Sequence, residues 1–123
     1  MTRPISFALI LLIGQLLTAC DLLLAQSSAD IDFFESKIRP LLHARCIECH
    51  GQTMQEGKLR LDARLGWEKG GASGRAIVPG KPEESLLVKA VLYADKDLKM
   101  PPDEKLSADE VALLVRWVRL GAI

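Results

Sequence analysis

The sequence predicts a small, mainly helical domain, and three observations lead to this prediction. The chain has 123 residues, which is enough for one modest domain and too few for a multidomain enzyme. Apolar side chains recur at helical spacing in three separate stretches, residues 34–42, 86–91 and 111–118. Between the first two stretches, glycines punctuate residues 51–80, where we expect irregular structure with at most one short strand.

The last helix has the clearest local signals. Ser107 and Glu110 have the spacing of a capping box, in which each side chain accepts a hydrogen bond from the backbone of the other. Leu106 and Val111 are placed for the apolar contact that often accompanies such a box. Gly121 is predicted to end the helix, because glycine readily adopts the left-handed conformation found at helix C-termini.

Prolines mark the other two predicted helices. Pro82 is predicted to open the second one, since the N–H that proline lacks has no helical partner in the first turn. In the first helix, Pro40 removes the N–H that would bond the carbonyl of Ser36. We therefore expect a bend there, followed by a short turn that leads into Cys46.

The charge balance excludes one broad class of function. The chain has 16 Lys and Arg against 16 Asp and Glu, so its formal net charge is zero. Binding to a nucleic-acid backbone needs clustered basic residues. We therefore expect no nucleic acid among the partners.

Residues 1–29 are predicted to be an export signal. Arg3 supplies a positive start, and residues 5–19 form an apolar run with few interruptions. The remaining domain is then residues 30–123. We expect an exported protein, in the periplasm or on the outer face of a bacterial membrane.

The sequence leaves the processing of this signal open. Residues 17–20, Leu-Thr-Ala-Cys, resemble a bacterial lipobox, in which lipidated Cys20 would tether the protein to a membrane. A small-residue cleavage site within residues 25–29 would instead release a soluble protein. An uncleaved anchor is the third alternative, and it would place Asp21 in the membrane at a cost of roughly 3 kcal/mol.

The motif Cys46-Ile47-Glu48-Cys49-His50 predicts covalent attachment of a c-type haem. Two thiols at this spacing can add to the two vinyl groups on one edge of the porphyrin, and the next imidazole reaches the iron. Cys46 and Cys49 are therefore the candidate thioether residues, and His50 is the candidate proximal iron ligand. Predicted export agrees with this hypothesis, because haem c is attached outside the bacterial cytoplasm.

Three other interpretations of the motif are weaker. A structural zinc site needs a fourth ligand, and among Cys and His only Cys20 and His43 remain. A thioredoxin-type redox pair would require a βαβ setting that the sequence lacks. A disulfide between Cys46 and Cys49 would close so short a loop that it would restrict the unfolded chain little.

Met100 is the best candidate for a second axial ligand of the iron. It lies 50 residues after His50, so the intervening chain is long enough to wrap around a haem. Met54 follows His50 too closely to reach the opposite face of the ring, and we expect His43 to stay on the same side as His50. The prolines after Met100 fix the neighbouring backbone in an extended form.

The order of these motifs resembles that of the planctomycete-type cytochrome c domain. The resemblance covers roughly residues 33–122. It rests on the haem motif followed by Gly70-Gly71-Ala72-Ser73-Gly74, Val78-Pro79-Gly80, Pro82-Glu83-Glu84-Ser85-Leu86-Leu87, Met100-Pro101-Pro102, and Trp117 with Gly121-Ala122. The resemblance implies a small all-α cytochrome c-like domain wrapped around one covalently attached haem, with His50 and Met100 as iron ligands. Such domains often belong to much larger secreted proteins, so further domains of a longer parent chain are one kind of partner to expect.

The glycine-rich stretch does not match a phosphate-binding loop. Gly74 and Gly80 enclose five residues instead of four, and Pro82 occupies a position where Ser or Thr would bind magnesium. We expect these small residues to let the backbone approach the haem closely. Arg75 is a candidate contact for a haem propionate through charge-assisted hydrogen bonds.

Together these patterns predict an exported monohaem c-type cytochrome that carries single electrons and is not itself an enzyme. Porphyrin, His50 and Met100 would fill every coordination position of the iron and leave none for a substrate. The alternative is a haem-bearing subunit or sensor module of a larger secreted enzyme, in which the Met100 ligand is labile. The neutral charge predicts weakly steered encounters with the unidentified redox donor and acceptor, or a tethered partner.

Overall fold

A computed structural model describes residues 28–123 of the chain. Arg3, Cys20 and the rest of the predicted export signal up to residue 27 lie outside the described residues. Residues Phe33–Ile123 form one compact unit, which contains the haem motif and Met100.

The described residues are helical and contain no β-strand, so the all-α prediction is confirmed. A π-helical turn at Phe34–Ile38 precedes α1 (Arg39–Arg45). After these come a 3₁₀ turn at Glu56–Lys58, α2 (Arg64–Lys69), a 3₁₀ turn at Pro82–Glu84, α3 (Leu86–Leu92) and α4 (Ala108–Arg119). None of the helices described within residues 28–123 has the length and apolarity needed to cross a membrane.

Pro40 lies in the first turn of α1, a position where proline is tolerated. The preceding turn widens to π-helical geometry, and the backbone N–H of Arg39 donates to the carbonyl of Phe34. The segment after Pro40 is therefore a helix in its own right and reaches Cys46.

The region between residues 51 and 80 contains the short helix α2, which the sequence did not predict. This helix has only six residues, a glycine at its centre and no side-chain cap, so its local signals are weak. Gly66 is required there because a Cβ atom would lie 2.6 Å from the carbonyl oxygen of Arg60. In place of the expected short strand, the region has an isolated bridge between Gly71 and Gly74.

The helix predicted to begin at Pro82 is interrupted at Ser85, which separates the 3₁₀ turn from α3. The backbone of Ser85 is extended, with φ −82° and ψ 123°, so a 3₁₀ turn ends and α3 begins there. The buried Ser85 hydroxyl accepts a hydrogen bond from the backbone N–H of Val78 at 2.9 Å and donates to the carbonyl of Lys81 at 2.9 Å. These bonds replace the helical ones and fix the angle at which α3 leaves the turn.

Both predicted ends of α4 are present. The Ser107 hydroxyl accepts from the backbone N–H of Glu110 at 3.2 Å, and the Glu110 carboxylate accepts from the backbone N–H of Ser107 at 2.8 Å. The latter bond holds the pKa of Glu110 below its ordinary value. At the other end, Gly121 has φ +98°, and the N–H of Ala122 donates to the carbonyl of Trp117.

The core is organised around α4. Trp117 is 1% exposed and meets Trp67 edge-on, with ring centroids 5.2 Å apart and planes at 82°. The ring of Phe34 lies 5.6 Å from that of Trp117 and so joins the first turn to the last helix. The other fully buried residues of this core are Ile38, Val91, Leu114 and Val118.

Replacing Ser107 with Ala tests the capping box. We expect the free energy of unfolding to fall by about 1 kcal/mol, because the N–H of Glu110 loses its acceptor. Chemical denaturation followed by circular dichroism measures the change. Ser36→Ala, the same substitution at an exposed position in the first turn, is the control, and an equal loss in both variants would contradict the role of the box.

Candidate functional site

The main cavity of the compact unit has a volume of about 370 Å³, which is within the size range of small-ligand and cofactor sites. The haem motif forms one wall, and the glycine turn at residues 71–74 forms another. Helix α3 and the chain around Met100 complete it. The candidate thioether residues Cys46 and Cys49 and the candidate iron ligands His50 and Met100 all line this cavity.

Backbone hydrogen bonds hold the haem motif in place. The N–H groups of Cys46 and Ile47 both donate to the carbonyl of Leu42, at 2.8 and 3.0 Å, so the turn grows directly from the end of α1. The N–H of His50 then donates to the carbonyl of Cys46 at 2.9 Å. The carbonyl of His50 accepts from Leu61 at 2.8 Å, which ties the motif to the chain that returns beside it.

The two cysteines differ in environment. Cys46 is half-buried and Cys49 is exposed, and both are free thiols. Burial raises the pKa of the Cys46 thiol to about 11, because the thiolate would be poorly solvated there. At neutral pH Cys46 is thus a neutral thiol, whereas Cys49 is open to solvent at the cavity edge.

His50 has a nitrogen atom whose hydrogen-bonding capacity is unused. Its Nδ1 atom is buried and has no hydrogen-bond partner among residues 28–123. A buried polar atom of this kind costs free energy unless another group compensates for it. The same residue lines the cavity.

The glycine turn lets the backbone form a thin wall. Gly71 and Gly74 both line the cavity and are joined by a hydrogen bond from the N–H of Gly71 to the carbonyl of Gly74 at 2.9 Å. Gly71 packs against the carbonyl of Gly57, where a Cβ atom would lie 2.7 Å from the oxygen. Gly74 has φ +111°, which side-chain-bearing residues rarely adopt, so the turn depends on both glycines.

The remaining surface of the cavity is largely apolar. Ala90 and Val91 contribute the face of α3, and Leu59 lies on the chain that follows the haem motif. Leu61, Ala76 and Leu87 complete a surface that would suit a large, flat apolar ring.

Met100 lies at the mouth of the cavity, with 37% of its surface exposed. Its backbone N–H donates to the carbonyl of Ala90 at 3.1 Å, which ties it to the end of α3. The peptide bond between Met100 and Pro101 is cis. The hydroxyl of Tyr93 donates to the carbonyl of Pro101, directly after Met100.

Other candidate residues lie elsewhere. Arg75 is exposed and is not among the described residues that line the cavity, although its neighbours Gly74 and Ala76 are, so its contact with a propionate stays a prediction. Met54 is 46% exposed and is likewise outside the described lining. His43 faces a separate groove beside α1.

Two residues near the cavity were not predicted from the sequence. Tyr93 bonds the chain beside Met100, and Arg45 lines the cavity and donates from its Nη1 to the carboxylate of Glu104 at 3.1 Å. These contacts join positions that the sequence gives no reason to pair, since Arg45 and Glu104 are 59 residues apart.

Comparison with known families identifies the domain. Residues 46–104 match the family model described as Planctomycete cytochrome C. The chain carries a planctomycete-type cytochrome c domain. No curated protein and no solved structure matches the chain.

The matched segment contains the four candidate haem ligands and most of the cavity lining. It begins at Cys46 and ends at Glu104, so it includes His50, the glycine turn, α3 and Met100. Cytochrome c domains bind haem c and transfer electrons, and such domains are typically exported. The residues present fit that group, because two cysteines, a histidine and a methionine line one largely apolar cavity.

The zinc interpretation of the motif gains no support from residues 28–123. Within that part of the chain, no group of three or more His, Cys, Asp or Glu side chains is arranged to hold a metal ion.

Gly71→Ala tests whether the thin wall of the cytochrome c domain needs its glycine. We expect the free energy of unfolding to fall by about 1 to 3 kcal/mol, because the new Cβ atom would press on the carbonyl of Gly57. Chemical denaturation measures stability, and the ratio of haem to protein measures loading. Ala72→Ser, at the exposed neighbouring position, is the control. Equal stability and loading in the two variants would show that the close approach at Gly71 is unimportant.

Proposed function

We propose that this chain is an exported monohaem cytochrome c that carries single electrons. In this proposal Cys46 and Cys49 bind the haem through thioethers, and His50 and Met100 are the axial ligands of the iron. The observation that supports it best is that these four side chains line one cavity although Met100 is 50 residues from His50 in sequence.

Axial ligation accounts for the type of chemistry. A bound haem would supply an iron that can change between the ferrous and ferric states. If His50 and Met100 both ligated this iron, no coordination position would remain for a substrate, so electron transfer would be favoured over catalysis. The apolar lining disfavours the additional charge of the ferric state, and a Met/His ligand set acts in the same direction. Both effects favour a raised reduction potential.

The proposed setting is the bacterial cell envelope. The apolar run of residues 5–19 supports export, and Cys20 offers a site for a lipid tether. The net charge of zero provides little long-range attraction for a redox partner. We therefore expect a partner held nearby, as a neighbouring domain or on the same membrane.

The exposure of Met100 supports a second candidate function. Met100 is 37% exposed, so part of this residue is accessible to water. If this ligand leaves the iron readily, the domain would bind a small molecule such as carbon monoxide and act as a sensor or as part of a larger enzyme.

Mass spectrometry and haem staining after denaturing electrophoresis test the covalent attachment. Expressed in a host that matures c-type cytochromes, the wild-type protein should have the mass of one added haem and should keep its haem stain on the gel. Cys46→Ala and Cys49→Ala each remove one thioether, so the double variant should lose all covalent haem. Cys20→Ala is the matched control and should keep the haem while losing any lipid. A colourless wild-type protein that contains zinc would refute the proposal.

Absorption spectroscopy of Met100→Ala tests the distal ligand. The ferric wild-type protein should show a weak far-red band from charge transfer between sulfur and iron, and the variant should lack it. Carbon monoxide should bind the ferrous variant and not the ferrous wild type. Met54→Ala is the control, because Met54 is an exposed methionine outside the described cavity lining. Immediate binding of carbon monoxide to the wild type would favour the sensor function instead.

A further inference from the structure

The chain that carries Met100 has few backbone contacts of its own. We call residues 94–105 the Met100 segment. It contains no helix or strand, and most of its residues are exposed. Within it, the N–H groups of Leu98 and Asp97 both donate to Asp95, and the N–H groups of Ala94 and Met100 donate to the carbonyls of Lys89 and Ala90 in α3. Side chains from outside the segment therefore have a large share in fixing the position of Met100.

Arg45 holds the far end of the segment. Its Nη2 atom donates to the backbone carbonyl of Glu104 at 3.3 Å, and its Nη1 atom to the carboxylate of the same residue. The carboxylate is 78% exposed, so that ion pair contributes little on its own. The contact nonetheless ties down the segment four residues beyond Met100.

Tyr93 holds the segment immediately beside Met100. Its hydroxyl donates to the carbonyl of Pro101, the next residue after Met100. The ring is flanked by the ammonium groups of Lys99 and Lys105, at 5.8 and 5.2 Å from its centroid. One side chain therefore contacts the segment on both sides of Met100.

The unusual backbone conformation of Tyr93 suggests that its side chain is needed at this position. Tyr93 ends α3 in the left-handed conformation, with φ 59° and ψ 34°. Glycine or asparagine normally occupies such a position, because an aromatic side chain is strained in it. The strained conformation is the one from which the Tyr93 hydroxyl reaches the Pro101 carbonyl.

We propose that Tyr93 is a positioning residue that keeps Met100 over the cavity, through the hydrogen bond from its hydroxyl to the carbonyl of Pro101. This inference rests on the proposed function, in which Met100 is an iron ligand. Tyr93 does not touch the iron in this proposal. It sets the fraction of molecules in which the Met100 thioether is in place, and so the access of outside ligands.

Imidazole binding to the ferric haem-loaded protein measures that fraction. Imidazole competes for the distal position, so its apparent affinity rises as Met100 is displaced more easily. Tyr93→Phe keeps the ring and removes only the hydroxyl. Loss of one such hydrogen bond should raise the apparent imidazole affinity by roughly three- to tenfold and weaken the far-red band.

Two further variants separate positioning from general destabilisation. Tyr93→Asn removes the phenol but suits the left-handed backbone, so it should raise the imidazole affinity without the strain that other residues would bring. Val118→Ala, in the buried half of α4 and outside the described cavity lining, should lower the free energy of unfolding and leave imidazole affinity unchanged. Unfolding is measured on the same samples.

Met100→Ala distinguishes failure of this inference from failure of the proposed function. If Met100→Ala binds imidazole more tightly than the wild type and both Tyr93 variants match the wild type, Tyr93 has no positioning role and the ligand assignment stands. If Met100→Ala also matches the wild type, Met100 is not a ligand and both proposals are wrong. A rise in affinity in Val118→Ala equal to that in Tyr93→Phe would assign the effect to stability and overturn the positioning role.

Discussion

The structure depends on a layer of apolar side chains that packs into the core on one side and lines the cavity on the other. Leu61, Leu87 and Val91 belong to the core that packs around Trp117, and they also line the cavity. A domain of this size has little apolar surface to bury, and part of it faces the cavity. A large apolar ring bound there would extend the core, so cofactor binding and folding stability are expected to be coupled.

The same layer explains why the haem motif is fixed so firmly. The turn from Cys46 to His50 begins at the carbonyl of Leu42, a core residue, and ends at a bond with Leu61, a residue of the shared layer. Both attachments are backbone hydrogen bonds, which any sequence with the right turn can make. The side chains of Cys46, Cys49 and His50 are therefore left free for the proposed attachment of haem. Gly51, directly after the motif, is required because a Cβ atom there would clash with the carbonyl of Ile47.

The sequence predicted those features that depend on neighbours in the chain. The capping box of α4 involves residues three apart, and the haem motif spans five, so both are visible without a structure. Helix α2 was missed because packing of Trp67, not a local signal, stabilises it. The extended backbone of Ser85 depends on Val78, seven residues earlier, and the Arg45 contact spans 59 residues. Partners at such distances cannot be inferred from composition or periodicity.

The two sides of the cavity differ in how their candidate ligands are held. His50 has backbone bonds on both sides, to Cys46 and Leu61, within a turn anchored to the core. Met100 has one backbone bond, and the nearest further anchors are the side chains of Tyr93 and Arg45. If both side chains ligate an iron, as proposed, local opening of the less constrained Met100 segment would favour exchange on the methionine side. Under the proposed function, the strength of those few contacts would therefore influence whether the domain acts as an electron carrier or as a sensor.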